Sequence, residues 1–172
     1  MRKHLSKLVT LIAAIGTSGW LFASDHGTGR EGHGLPAADN KTWRSECGSC
    51  HTAFHPGLLP ERSWRKLMDG LDRHFGENAA LDAASRKAIT EFLAANAADR
   101  IDARRARKVA ASIPAGQAPL RISASPWFVR KHDEVRAEVW KRKSVGSAAN
   151  CTACHAGADK GVFSEREIRI PL

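Results

Sequence analysis

Cys47-Gly48-Ser49-Cys50-His51 is matched, far along the same chain, by Cys151-Thr152-Ala153-Cys154-His155. Both stretches are C-x-x-C-H, and together they use all 4 cysteines of the protein. On a helical turn, positions i and i+3 lie side by side. The two thiols of one motif can therefore reach the two vinyl groups of one haem, and the histidine that follows lies under the iron as an axial ligand. A C-x-x-C pair can also be half of a zinc site or a redox-active dithiol. A zinc site built from both pairs leaves His51 and His155 without a role, and a thioredoxin-like site needs a single pair. Two motifs, each followed at once by histidine, read instead as two c-type haem attachment sites. Cys47, Cys50 and His51 form the first; Cys151, Cys154 and His155 form the second.

The chain has 172 residues, 42% of them hydrophobic, which suits one or two small domains. Its start is laid out as a signal peptide over residues 1–24. Arg2, Lys3 and Lys7 come first, with no acid among them. Leu8 to Phe22 follows, apolar apart from Thr10, Thr17 and Ser18, and Ala23 and Ser24 precede Asp25. The apolar run, about 15 residues, falls short of the roughly 20 that a membrane span needs. The cut site is not a clean A-x-A, so an uncleaved anchor is the alternative. The expectation is an exported, periplasmic protein with no membrane span once mature. The formal charge of +9 drops to about +6 without residues 1–24, and the four propionates of two haems bring it to about +2. Nucleic-acid binding does not follow from such a balance.

Asp25 to Asn40 is rich in glycine and reads as a flexible arm, with His26 and His33 solvent-exposed in it. Asp39 or Asn40 can cap a helix that runs through Trp43 into the first motif. Pro56-Gly57-Leu58-Leu59-Pro60 reads as a turn. Ser63 is placed to cap a helix from Trp64 to Phe75, with Trp64, Leu67, Met68, Leu71 and Phe75 on one face and Gly76 as its stop. Asp82 caps the next helix, about 83–97. Arg100 to Lys108 is a basic helix or linker whose charges mainly face water. Ile113 to Ser125 is irregular and divides the chain. Residues 41–112 are expected to form an N-terminal haem domain like a class I cytochrome c, and 113–172 a small, loop-rich helical C-terminal haem domain. Ser125-Pro126 opens a helix leading to His132. The second motif is expected on a short helix. No strand pattern is strong, so the fold class is mainly α.

The ligands on the far side of each iron decide function, because an iron with two strong protein ligands can only pass electrons. The candidates are His55, His74, His132, His26, His33 and Met68. His55 stands four residues after His51, a span of about 14 Å at most, and Pro56 keeps it extended. It reads as a pocket or propionate neighbour. Met68 reads as a core residue. His74 and His132 lie beside apolar residues on expected helices, with ample chain to turn back over a ring. They are the preferred partners of His51 and His155, and the sequence does not say which serves which haem.

The chain resembles the dihaem cytochrome c family of proteobacteria. The resemblance is carried by Glu46–His51, Gly57-Leu58-Leu59-Pro60, Ser63-Trp64, Leu71, His74-Phe75-Gly76-Glu77-Asn78-Ala79 and Leu81. In the second half it is carried by Trp127-Phe128, His132 and Asn150–His155. It implies a class I-like first domain, a smaller second haem domain, bis-histidine irons and an electron carrier rather than an enzyme. The partners it implies are a small oxygen-binding monohaem cytochrome and a membrane b-type cytochrome. The competing readings are a dihaem peroxidase and a haem-based gas sensor, each needing one open iron position. For an acidic partner, Lys141-Arg142-Lys143 is the basic run nearest in sequence to a haem motif.

Overall fold

The computed structural model describes residues 34–172. The expected signal peptide, most of the expected arm, His26 and His33 lie outside the described residues. Among those described there are six α-helices linked by tight 3-10 turns, and pairing of the strand type is confined to two isolated bridges. The mainly α class is as the sequence implies. No helix among the described residues is long and apolar enough to cross a membrane.

Helix α1 spans Lys41–Gly48, and the Asn40 side chain caps it by accepting from the Trp43 amide at 2.8 Å. Asp39 instead holds the Arg44 side chain. Helix α3, Ala83–Ala95, opens as expected on Asp82, whose carboxylate accepts from the Ala84 and Ser85 amides. Such caps satisfy amides that have no partner within the helix. The two helices meet through Trp43 and Phe92, whose ring centroids are 5.1 Å apart.

Between them the chain departs from the expected single long helix. Helix α2 spans Glu61–Met68; it begins after Pro60, and Ser63 is buried inside it rather than at its cap. Proline at the boundary supplies a fixed φ and needs no donor, and Glu61 in the first turn suits the helix dipole. Gly70 ends the run, and Leu71–Arg73 form a 3-10 turn. His74 therefore follows a tight turn and is not within a helix. Apolar residues three apart look alike in both kinds of turn, which is why the periodicity ran on to Phe75.

The main core joins Trp43, Leu59, Trp64, Met68, Ile89 and Leu93 to Ala106, Val109 and Ile113. The last three come from helix α4, Arg104–Ser112, and its end, so this basic helix buries one apolar stripe and turns Arg104, Arg107 and Lys108 to water. Met68, at 2% exposure, packs in this core as a filler residue should. The irregular stretch after α4 is clamped by Arg62, whose guanidinium donates to the carbonyls of Ile113, Pro114 and Gln117. Helix α5, Pro126–Lys131, opens on Ser125, whose hydroxyl accepts from the Phe128 amide. His132 sits at its C-terminal end. Helix α6, Ala137–Trp140, is a single turn. The second motif forms a 3-10 turn, Cys151–Ala153, rather than an α-helix. Val139, Val145 and Ala158 are buried outside the main core.

Candidate functional site

His55 ties together three distant segments. Its Nε2–H donates to the Pro36 carbonyl at 2.8 Å, and its Nδ1 accepts from the Gly57 amide at 3.0 Å. With both nitrogens engaged and 3% of its surface exposed, His55 has no lone pair to offer a metal. Burial pushes its pKa down, against the pull of the Pro36 carbonyl. The ring lies on Gly161, where a Cβ would come within 2.8 Å of it and where φ is +74°. Only glycine accepts that backbone and that contact at no cost. Alongside, the Leu35 amide donates to the Gly161 carbonyl and Gly34 bridges Val162. Residues 34–36, within the expected arm, are thus docked on the tail of the second half.

The motif histidines each face one of the two histidines picked out in the sequence. His51 and His74 have ring centroids 6.1 Å apart at 24°. His155 and His132 have centroids 6.1 Å apart at 85°. Two imidazoles bound to opposite sides of one ion, at about 2 Å per metal–nitrogen bond and about 1 Å from each nitrogen to its ring centre, stand about 6 Å apart. Both spacings fit a shared iron.

Local chemistry orients each ring. The His51 Nδ1–H can donate to the Thr52 carbonyl at 2.8 Å, which leaves Nε2 as the lone-pair nitrogen. The His132 Nδ1–H can do the same to the Phe128 carbonyl at 2.9 Å, one turn back in α5. His132 is further held between Phe128, 3.9 Å away and nearly parallel, and Trp140 at 5.9 Å. His74 is presented by a sharp reversal in which Phe75 takes φ +54° and Gly76 φ +106°, closed by the Glu77 amide on the His74 carbonyl. A left-handed phenylalanine costs about 1–2 kcal/mol, and such strain gathers where function fixes the backbone. The His155 Nδ1 is buried without a hydrogen-bond partner, and its ring lies 5.6 Å from Phe163.

The electrostatics favour neutral imidazoles. Burial lowers the pKa of His74, helped by the nearby His51 and Arg121. Burial lowers that of His155 as well, helped by His132 and Arg105. A neutral ring keeps the lone pair a metal needs. The thiols behave differently. Burial, with Glu46, raises Cys47 to about 11, and burial raises Cys151 and Cys154. These are not the activated thiolates of a redox-active dithiol. The four cysteines form no disulfide with one another, and among the described residues no group of three or more histidine, cysteine or acidic side chains gathers as a metal cluster. No local pattern marks Phe163, eight residues beyond His155, or Arg121 and Arg105, which come near His74 and His155 across long stretches of chain.

Residues 43–163 match the family of dihaem cytochromes c. A solved dihaem cytochrome c from Rhodobacter sphaeroides is 46% identical, with a TM-score of 0.66, covering 74% of this chain and 99% of that one. A dihaem cytochrome type c from Shewanella baltica OS155 is 34% identical, with a TM-score of 0.63, covering 77% of this chain and 93% of that one. No curated protein matches the chain.

Proposed function

The chain belongs to the dihaem cytochrome c family and carries two c-type haems, and on that premise we propose a periplasmic electron-transfer protein whose irons are each held by two histidines. We assign Cys47, Cys50 and His51 to the first haem with His74 as its second ligand. Cys151, Cys154 and His155 hold the second haem with His132 opposite. The observation that carries this reading is the pair of equal ring spacings, 6.1 Å for His51–His74 and 6.1 Å for His155–His132.

Bound haem supplies a one-electron ferric/ferrous couple. The protein's part is to hold the ligands still. His51 and His132 are fixed by carbonyls on their Nδ1 side, His74 by the reversal at Phe75-Gly76, and His155 by its place after the Cys151–Ala153 turn. Rings that cannot move keep the same coordination in both oxidation states, so little rearranges when an electron passes. Four ligating histidines leave no position for a substrate, and histidine opposite histidine favours a lower potential than histidine opposite methionine.

Residues 41–112 make the larger, class I-like haem domain, supported by the packing of α1 on α3 through Trp43 and Phe92. Residues 113–172 make the smaller one. Its own buried apolar residues are few, Val139, Val145 and Ala158 among them. A segment of that length is marginal on its own burial, and a covalent apolar cofactor adds to its core. The partners we expect are a soluble haem protein and a membrane b-type cytochrome, reached after export through the signal peptide at residues 1–24.

Carbon monoxide tests the reading. The reduced protein is expected to keep its visible spectrum when the gas is added, since neither iron has a free position. Rapid formation of a carbon monoxide adduct at one haem would favour a peroxidase or gas sensor instead.

A further inference from the structure

The two motif histidines are joined by a short run of tight contacts that passes through His55. On one side, Phe54 stacks on the His51 ring, with centroids 4.9 Å apart at 25°, and buried His55 follows it directly. On the other side, the His155 carbonyl accepts from the Ala158 amide, and the Ala158 carbonyl accepts from the Gly161 amide. The Gly157 carbonyl closes the same loop by accepting from the Val162 amide at 2.9 Å. The His55 ring lies against Gly161, so the two segments meet at one contact. His55 is four residues from His51, and Gly161 is six from His155.

The meeting point has no slack. A Cβ on Gly161 would lie 2.8 Å from His55 Cδ2 and 3.3 Å from Leu35 Cβ. One on Gly57 would lie 2.9 Å from Ile101 Cδ1 and 3.0 Å from Leu35 Cδ2. One glycine from each segment thus permits the approach. Parts of a chain shift relative to one another unless their junction is packed, and a packed interior transmits displacement rather than absorbing it. Local turn formation does not require a histidine here. The bond from the Gly57 amide to Nδ1 is one that asparagine makes to the amide two residues ahead. The rest of the ring, Nε2 on the Pro36 carbonyl and Cδ2 against Gly161, serves only long-range contacts.

We propose that His55 is a positioning residue for electron exchange between the two haems: its contact with Gly161 fixes the separation of the His51 and His155 sites. In the half-reduced protein, one electron leaves the ferrous iron of one site and arrives at the ferric iron of the other. No bond is made or broken, and no outside oxidant or reductant is consumed. The rate of such a transfer falls steeply with separation. A junction that lets the sites drift therefore slows exchange without changing the ligands of either iron.

This inference rests on the proposed attachment of one haem at each motif, not on which histidine lies opposite. Pulsed EPR dipolar spectroscopy of the oxidised holoprotein reads the distribution of iron–iron distances. Photoreduction by less than one electron per chain, followed by transient absorption, reads the exchange rate. His55→Asn keeps an acceptor for the Gly57 amide and loses the contacts with Pro36 and Gly161. Gly161→Ala disturbs the same contact from the other side. The parent is expected to show one narrow distance distribution. His55→Asn is expected to broaden it and to slow exchange severalfold, while both low-spin EPR signals keep the parent g-values. The two substitutions together are expected to be non-additive, because asparagine removes the ring that the alanine methyl would strike. If Gly161→Ala does not fold, His55→Asn carries both readouts alone. Lower stability in His55→Asn with the parent's distribution and rate would overturn the inference and leave His55 a structural residue only. Additive effects would overturn the contact with Gly161 as the cause. A parent with no iron–iron coupling would overturn the attachment reading itself, and this inference with it.

Discussion

The ring of His155 stands at 85° to that of His132, whereas His51 and His74 are within 24° of parallel. With both rings on one low-spin ferric iron, near-parallel π systems split the same pair of iron d orbitals, while crossed rings leave that pair close in energy. The oxidised protein is therefore expected to give two low-spin EPR signals of equal weight. One is rhombic with modest spread, and the other shows a single strongly displaced low-field feature. Two superimposable signals would contradict the ring geometry.

Methionine in place of either partner histidine tests the pairing by potential. His74→Met is expected to raise one couple and His132→Met the other, because a thioether favours ferrous iron. The His74 variant is expected to alter only the rhombic EPR signal, since His74 faces His51. A variant that titrates like the parent shows that its histidine is not a ligand.

His55 links stability to pH without touching an iron. Its pKa is depressed in the folded protein, chiefly by burial, so the unfolded chain takes up the proton first as pH falls. The sign is then fixed: this stabilising contribution is complete above the unfolded value of about 6.5 and is lost as pH drops from there towards the folded value. Removing the ring also orphans the Gly57 amide and the Pro36 carbonyl. His55→Ala is expected to cost about 2–3 kcal/mol in chemical denaturation at neutral pH, and to weaken the loss of stability below pH 6.5. Unchanged stability and unchanged acid sensitivity would remove His55 from the junction.

Local signals were legible and long-range ones were not. Asn40, Asp82 and Ser125 cap the helices that their neighbours in sequence suggest, because a cap acts over three residues. Ser63 misled because Pro60 and Glu61 start the helix earlier. The two motifs and their candidate partners could be found from spacing and apolar context alone. Which histidine faces which motif depends on how the chain returns across its core, and no local pattern encodes that. The contacts of Arg121 with Phe75, of Arg105 with Phe163 and of His55 with Gly161 are of the same kind.

Charge near the second motif is expected to steer partners. Arg142 is occupied by the Pro171 carbonyl at 2.7 Å, which leaves Lys141 and Lys143 exposed beside it. Charge reversal at Lys141 and Lys143 is expected to slow bimolecular electron transfer with an acidic partner roughly tenfold at low ionic strength. The difference should fade as the screening length shortens to about 8 Å at physiological salt. An unchanged low-salt rate, measured by stopped flow, would place docking on another face.

The central claim is that two histidines hold each iron, and near-infrared magnetic circular dichroism of the oxidised protein tests it most directly, because the position of the charge-transfer band reports the ligand pair. The account predicts bands of the histidine–histidine type alone, with intensity for two low-spin irons per chain. A histidine–methionine band or a high-spin band accounting for one of the two irons would contradict it.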